Sequence, residues 1–352
     1  MIKKYLGFVV VVVVVVSCNK YEPVCDCVNV PDPTSVLLSY PNNFPSPAIP
    51  EWNPLTEEGV NLGRHLFYDP ILSTDNTVSC ASCHQLASAF ADNSQYSIGV
   101  GQAEGERNAP TIMNVAFQQV FDWDGKSNSL EMQAIRPIFN EVELHNNNWT
   151  EVISRLKMSE LYSSLFCLAF GTEDIDSLHV LMAISQFERT LNSFNSRFDQ
   201  WFYYGGPYSL EEMDGFNIFA TERGDCFHCH PIGLFTDNTF HNNGLDTEFN
   251  DLGRYNITGN PLDEGLFKSP TLRNIEFTAP YMHDGRFNTL DEVIEHYNFG
   301  GYDSPTVDPL MKYVGKGLLL TDKEKSNLKA FLLSLSDSSF INNSDYSNPF
   351  NK

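Results

Sequence analysis

Basic residues are scarce in this 352-residue chain: 22 Lys plus Arg stand against 45 Asp plus Glu, a formal net charge of −23. So few cations leave no footprint for a phosphate backbone, which excludes nucleic acid as a partner. Long hydrophobic runs are missing but for one, Tyr5–Val16, whose twelve residues are too few to cross a bilayer as a helix. Stretches that alternate as half-buried strands do are also sparse, which leaves a mostly α class with long Gly- and Pro-rich connections. The length allows two compact domains, each with its own core.

What is present begins with a processing signal. Lys3 and Lys4 precede the apolar run, and Val15-Val16-Ser17-Cys18 resembles a bacterial lipoprotein processing site, so residues 1–17 read as a signal peptide and Cys18 as the lipidated N-terminus. An ordinary signal peptide would leave Cys18 uninvolved. Either way the mature chain is exported, and with the lipid it is a periplasm-facing lipoprotein of the inner or outer membrane.

Residues 19–50 carry seven prolines and little apolar periodicity. Residues 18–50 therefore read as an extended tether that holds the body off the membrane. Cys25 and Cys27 lie in it, too close in sequence for an unstrained bond, and neither their pairing nor that of Cys167 can be deduced. Asp176 to Trp201 places Leu178, Leu181, Met182, Ile184, Phe187, Leu191 and Phe194 near helical spacing, which predicts one long helix closing a first domain. Tyr204-Gly205-Gly206-Pro207 then breaks the pattern, giving domains at 51–205 and 206–352.

The body repeats itself. Gly63-x-x-x-Phe67 precedes Cys80-Ala81-Ser82-Cys83-His84, and Gly215-x-x-x-Phe219 precedes Cys226-Phe227-His228-Cys229-His230. Cys-x-x-Cys-His is the attachment pattern of a c-type haem: the two thiols form thioethers with the porphyrin vinyl groups and deliver the adjacent His to the iron. A four-thiolate zinc site is the alternative, but the two pairs are far apart and each is followed directly by His. Two haem c groups follow. An iron with two strong axial ligands passes electrons, whereas one with an open sixth position binds peroxide. The acidity of the chain then serves solubility or the steering of a basic redox partner such as a small cytochrome c.

Beyond these motifs, the chain resembles the bacterial di-haem cytochrome c peroxidases and their MauG-like relatives. The likeness is carried by Leu66-Phe67-Tyr68-Asp69-Pro70-Ile71-Leu72-Ser73, both haem motifs, Arg107-Asn108-Ala109-Pro110-Thr111, Trp123-Asp124-Gly125, Pro270-Thr271-Leu272-Arg273-Asn274 and Thr278-Ala279-Pro280-Tyr281-Met282-His283-Asp284-Gly285. The resemblance implies two cytochrome c-like haem domains with the haems near their interface. It makes His84 the proximal ligand of a peroxidatic haem and His230 that of an electron-transfer haem. It also implies Trp123 as a relay between the haems, Gln133 and Pro137 lining the open face, and Glu143 as the acid/base that moves a proton between the peroxide oxygens. A calcium ion held by Asn108, Thr278 and Pro280 is implied as well.

Two departures from the family pattern bear on mechanism. Many members carry a distal His in the loop after the first haem motif. Here Ser97-Ile98-Gly99-Val100-Gly101-Gln102 has none, with Val100 at the expected position, so the first site should be open without reductive activation. His145 is the nearest substitute and reads as a surface residue. The sixth ligand of the second haem, a Met in many members, falls at Tyr297 as in the MauG-like branch, with His296 and Met282 as alternatives; His283 has an undecided packing or hydrogen-bonding role. A phenolate ligand favours the ferric state. The expected activity is reduction of hydrogen peroxide with electrons from an external donor such as a small cytochrome c. The alternatives are a MauG-like oxidase acting on a partner protein and a non-enzymatic di-haem electron carrier, and whether the protein forms a homodimer is left open.

Overall fold

The computed structural model describes residues 27, 30–42 and 44–351. The signal segment, Cys18 and Cys25 lie outside the described residues. The helices, in chain order, are α1 (Glu57–Tyr68), α2 (Cys80–Cys83), α3 (Leu130–Phe139), α4 (Trp149–Lys157), α5 (Glu160–Phe170), α6 (Ser177–Thr190), α7 (Arg197–Tyr204), α8 (Leu210–Phe219), α9 (Tyr255–Thr258), α10 (Leu290–Phe299), α11 (Asp322–Ser334) and α12 (Ser338–Ile341). One small antiparallel pair, β1 (Phe240–His241) and β2 (Phe267–Lys268), sets Phe240 against Lys268. No helix among the described residues is long and apolar enough to cross a membrane.

Two helical units repeat one crossing. In the first, α1 packs on α6, and in the second α8 packs on α11. A Cβ on Gly63 would lie 1.9 Å from the Ala183 carbonyl oxygen, and one on Gly215 1.9 Å from that of Asn327. Only glycine permits backbones this close. Serine and threonine caps set the helix starts: the side chains of Thr56, Ser209, Thr289 and Thr321 each accept a first-turn N–H, a contribution of about 1 kcal/mol apiece. The first core gathers Leu62, Leu66, Val152, Phe166, Val180 and Ile184. The second gathers Phe198, Phe219, Phe235, Phe331 and Leu335.

The expected long helix over 176–201 is two helices. After Thr190 the chain turns, because side chains claim its backbone: Asn114 accepts the Ser193 N–H at 2.9 Å, Asp337 accepts that of Asn195 at 3.1 Å, and Ser196 forms a capping box with Asp199. Polar side chains of this kind compete with helical hydrogen bonds. The domain boundary shifts as a result. Phe198 and Trp201 of α7 pack into the second core, so the units meet at 191–196 rather than at 205.

The 206–352 segment is not wholly the second domain either. Phe340 and Tyr346 pack with Phe67, Phe90 and Phe187 of the first. Tyr68 donates to the Tyr346 carbonyl at 2.6 Å, and Tyr346 donates to that of Thr190 at 2.9 Å.

The described part of the proline-rich segment does not stand off the body. Val36 N–H donates to Leu55, Ala48 N–H to Ala116, and Phe44 is buried against Phe117, Phe194 and Tyr203. Cys27 is disulfide-bonded to Cys167 in α5. Prolines kept this segment extended, but an extended chain with one large apolar side chain still docks where a pocket accepts it.

Candidate active site

Each haem motif sits beneath a loop that turns its histidine. In α2 and the 3-10 turn Cys226–His228, the paired cysteines lie about one turn apart, and all four thiols are free. Burial pushes the Cys83 thiol up to about 11 and that of Cys226 to about 12. His84 Nδ1 bonds to the Phe90 carbonyl at 3.0 Å and His230 Nδ1 to that of Phe235 at 2.9 Å. Burial, the leading cause, lowers both imidazole pKa values. A neutral ring that donates from Nδ1 to a carbonyl has its Nε2 lone pair available, as an iron ligand requires. Phe90 and Phe235 both adopt positive φ, at 60° and 54°, which brings their carbonyls back over the histidines.

Two cavities open at these histidines. The first, about 1230 Å³, is lined by His84, Cys83, Gln133, Asn140 and Glu143, and the second by His230, Cys226, Cys229, Met282 and Tyr297. The residues present thus fit a covalently attached haem in each. Asn108, Trp123, Phe267, Lys268 and His283 line both cavities and form the wall between them. Trp123 is held in that wall at two points: its Nε1 donates to the Asn108 carbonyl at 2.8 Å, and its own carbonyl accepts the Lys268 N–H at 2.7 Å. Arg107 braces the same turn by bridging Asp124 at 2.7 Å and Asp251 at 2.6 Å.

On the open side of the first cavity, Glu143 accepts a hydrogen bond from Asn140 Nδ2. Burial raises its pKa above the usual carboxylate value, against the lowering effects of Asn140 and Arg136. A carboxyl whose protonated form is favoured in this way is suited to acid/base work. Pro137 lies on α3 without lining the cavity, and Gln133 and Arg136 of the same helix do line it.

Val100 does not face the cavity: its side chain belongs to the first core, and its N–H donates to the Glu143 carbonyl at 2.9 Å. The loop approaches so closely that a Cβ on Gly99 would meet the Val142 carbonyl oxygen at 2.1 Å. The loop therefore supports Glu143 from behind. His145 is exposed, with Nδ1 bonded to the Glu141 carbonyl. Among the described residues, His84 and His283 are the histidines lining this cavity, and His283 is stacked on Phe267 at 3.6 Å between ring centroids.

In the second cavity the Tyr297 hydroxyl accepts from Asn243 Nδ2 at 3.2 Å, and the same amide reaches Met282 Sδ at 3.6 Å. Burial pushes the phenol up to about 12, so it ionises only against a strong positive charge such as ferric iron. His296 is turned away: its Nε2 meets the Asn243 carbonyl at 3.1 Å, and it does not line the cavity.

A second internal repeat, absent from the sequence reading, relates these groups. Thr111, Asn114, Trp123, Asp124, Gly125, Leu130 and Pro137 recur at the same spacing as Thr271, Asn274, His283, Asp284, Gly285, Leu290 and Tyr297. The structure repeats with it. Thr111 and Thr271 each donate to a loop carbonyl at 2.6 Å, Asn114 and Asn274 have φ of 57° and 56°, and the bridges Phe121–Ser127 and Tyr281–Phe287 match. Helices α3 and α10 are counterparts, and Tyr297 occupies in one the position that Pro137 occupies in the other. Constant spacing was the signal for this repeat, hidden because the residues between its fixed points differ.

The sequence profile described as di-haem cytochrome c peroxidase matches residues 57–206. The methylamine utilization protein MauG of Methylorubrum extorquens is 38% identical over 81% of this chain and 80% of its own length. Cytochrome c551 peroxidase of Nitrosomonas europaea is 35% identical over 72% of this chain and 76% of its own. The crystal structure of a MauG-like protein associated with microbial copper homeostasis superposes with a TM-score of 0.84 at 34% identity, covering 90% of this chain and 99% of that one.

Proposed function

This chain belongs to the family of di-haem cytochrome c peroxidases and their MauG relatives, and we propose that it reduces hydrogen peroxide to water in the first cavity with electrons that enter through the second. Haem c bound at each motif supplies an iron that carries electrons and, where no sixth ligand reaches it, a position for peroxide.

The observation that carries the assignment of roles is the pairing of Pro137 with Tyr297. At one and the same helical position the second unit offers a phenol oxygen to its cavity and the first offers no donor at all. Gln133 and Glu143 line the first cavity; Glu143 accepts the proton from one peroxide oxygen and returns it to the other, and Asn140 holds its carboxyl in place. Trp123 stands in the shared wall as the relay between the two centres. Electrons come from an external donor such as a small cytochrome c, for which the acidic surface favours a basic partner. Mixing the fully oxidised protein with peroxide tests this reading: rapid spectral change without prior reduction supports it, and no reaction in either redox state removes it.

Tyr297 and the 38% identity to a MauG protein favour a second reading, an oxidase that stores oxidising equivalents and modifies a partner protein. A long-lived two-electron-oxidised state after peroxide addition would select it.

Calcium at Asn108, Thr278 and Pro280 is part of the proposal. Asn108 spends its amide hydrogens on the carbonyls of Ser94 at 2.9 Å and Gln95 at 3.3 Å, which leaves Oδ1 as an acceptor, and oxygen donors suit a hard cation. Export and lipidation at Cys18 are proposed from the N-terminal pattern, with the Cys27–Cys167 disulfide in keeping with an oxidising compartment.

A further inference from the structure

The crossing that α1 makes with α6 is the one α8 makes with α11: Gly63 meets Ala183 and Phe187, and Gly215 meets Asn327 and Phe331. The next residue on each partner helix therefore occupies one and the same place. In α11 it is Leu332, which lines the second cavity with an apolar side chain, and in α6 it is Glu188, which lines the first. Glu188 is 6% exposed, and its Oε2 has no hydrogen-bond partner. A buried carboxyl without a partner costs roughly 1–3 kcal/mol or more, and it replaces a residue type that fits the position well in the other half of the molecule.

The two cavities differ in one chemical requirement. Passing electrons consumes no protons, whereas peroxide reduction consumes two: H2O2 with two protons and two electrons gives two waters. Glu143 only moves a proton that peroxide already carries. The protons that balance the electrons must reach the peroxide oxygens from solvent.

We propose that Glu188 is the proton-holding acid of the first cavity, a carboxyl that delivers solvent-derived protons to the peroxide oxygens as electrons arrive from the donor protein. This rests on the peroxidase reading above. In each delivery the O–H bond of Glu188 breaks, its electron pair stays on the carboxylate, and the proton forms an O–H bond of product water. The carboxylate then takes a proton from solvent.

The groups around Glu188 suit this task. Arg189, next to it on α6, is neutralised by Glu131 of α3 at 2.8 Å, and Asn53 and Gln186 complete that network. Cys80 of α2 and Glu143 across the cavity add no cation. Burial pushes Glu188 up to about 8, with Arg189 lowering and Glu131 raising it.

The test uses haem-loaded protein with Glu188→Gln, Glu188→Leu and Glu188→Asp. Infrared difference spectra between the parent protein and Glu188→Gln are expected to show a protonated-carboxyl C=O band at neutral pH that the variant lacks. Turnover of peroxide should fall about tenfold or more in the Gln and Leu variants, with KM for peroxide little changed and partial recovery in Asp. The absence of that band, or wild-type turnover in Glu188→Leu, overturns the inference. An unvaried protein that does not reduce peroxide at all overturns the peroxidase reading instead.

Discussion

Trp123 donates its indole N–H to the carbonyl of Asn108, the residue whose side-chain oxygen is the proposed calcium ligand. The proposed relay between the two cavities and the proposed cation therefore hang on a single residue. Chelating calcium from the loaded protein should slow reduction of the first centre by electrons placed on the second, and restored calcium should reverse it. Stopped-flow spectroscopy with and without chelator checks this, and metal analysis that finds no calcium in the active protein would remove the ion from the proposal.

Exchange at the Pro137/Tyr297 position should act on one haem only. Tyr297→Met should raise the potential of the second haem, because a thioether favours ferrous iron more than a phenolate does, and should leave the absorption of the first unchanged. Redox titration of the variant measures both. An unaltered spectrum for the second haem would mean that Tyr297 is not its ligand.

Glu143→Gln should cut kcat/KM for peroxide about 10²–10⁴-fold. The pH dependence has a definite sign. As a base Glu143 works only when ionised, so the rate falls as pH drops through its pKa, and because burial raises that pKa the acid limb should lie above the ordinary carboxylate range. The variant should lose this limb. A limb that persists in Glu143→Gln would assign it to another group.

The disulfide between Cys27 and Cys167 closes a separation of 140 residues. Reduction, or Cys167→Ala, should lower stability by about 2–4 kcal/mol, chiefly by freeing the unfolded chain. Thermal unfolding with and without reductant reads the effect directly, since haem thioethers survive such reductants.

The chemistry of this chain was far more legible in its sequence than its packing. Cys80, Cys83 and His84 declare a haem because their roles depend on local spacing alone, and the same holds for their partners in the second half. Tyr297 and Trp123 became legible through resemblance, and both line the second cavity. What stayed hidden depends on contacts between residues far apart: Phe44 finding a pocket between Phe117 and Phe194, Asp337 and Asn114 breaking a helix at Ser193, Tyr346 reaching back to Tyr68. Glu188 belongs with these. In a helical pattern it looks like any exposed acid, and only the crossing with Gly63 turns it inward.

The aromatic pair Phe340 and Tyr346 lies beyond the whole second haem unit in the sequence but in the first unit in space, against the same cluster that receives Cys80. During synthesis the first hydrophobic cluster must therefore wait, incomplete, until the second unit has been made. That delay sets an order of assembly. A haem attached at Cys80 and Cys83 before the second unit is complete would meet a cluster that still lacks Phe340 and Tyr346.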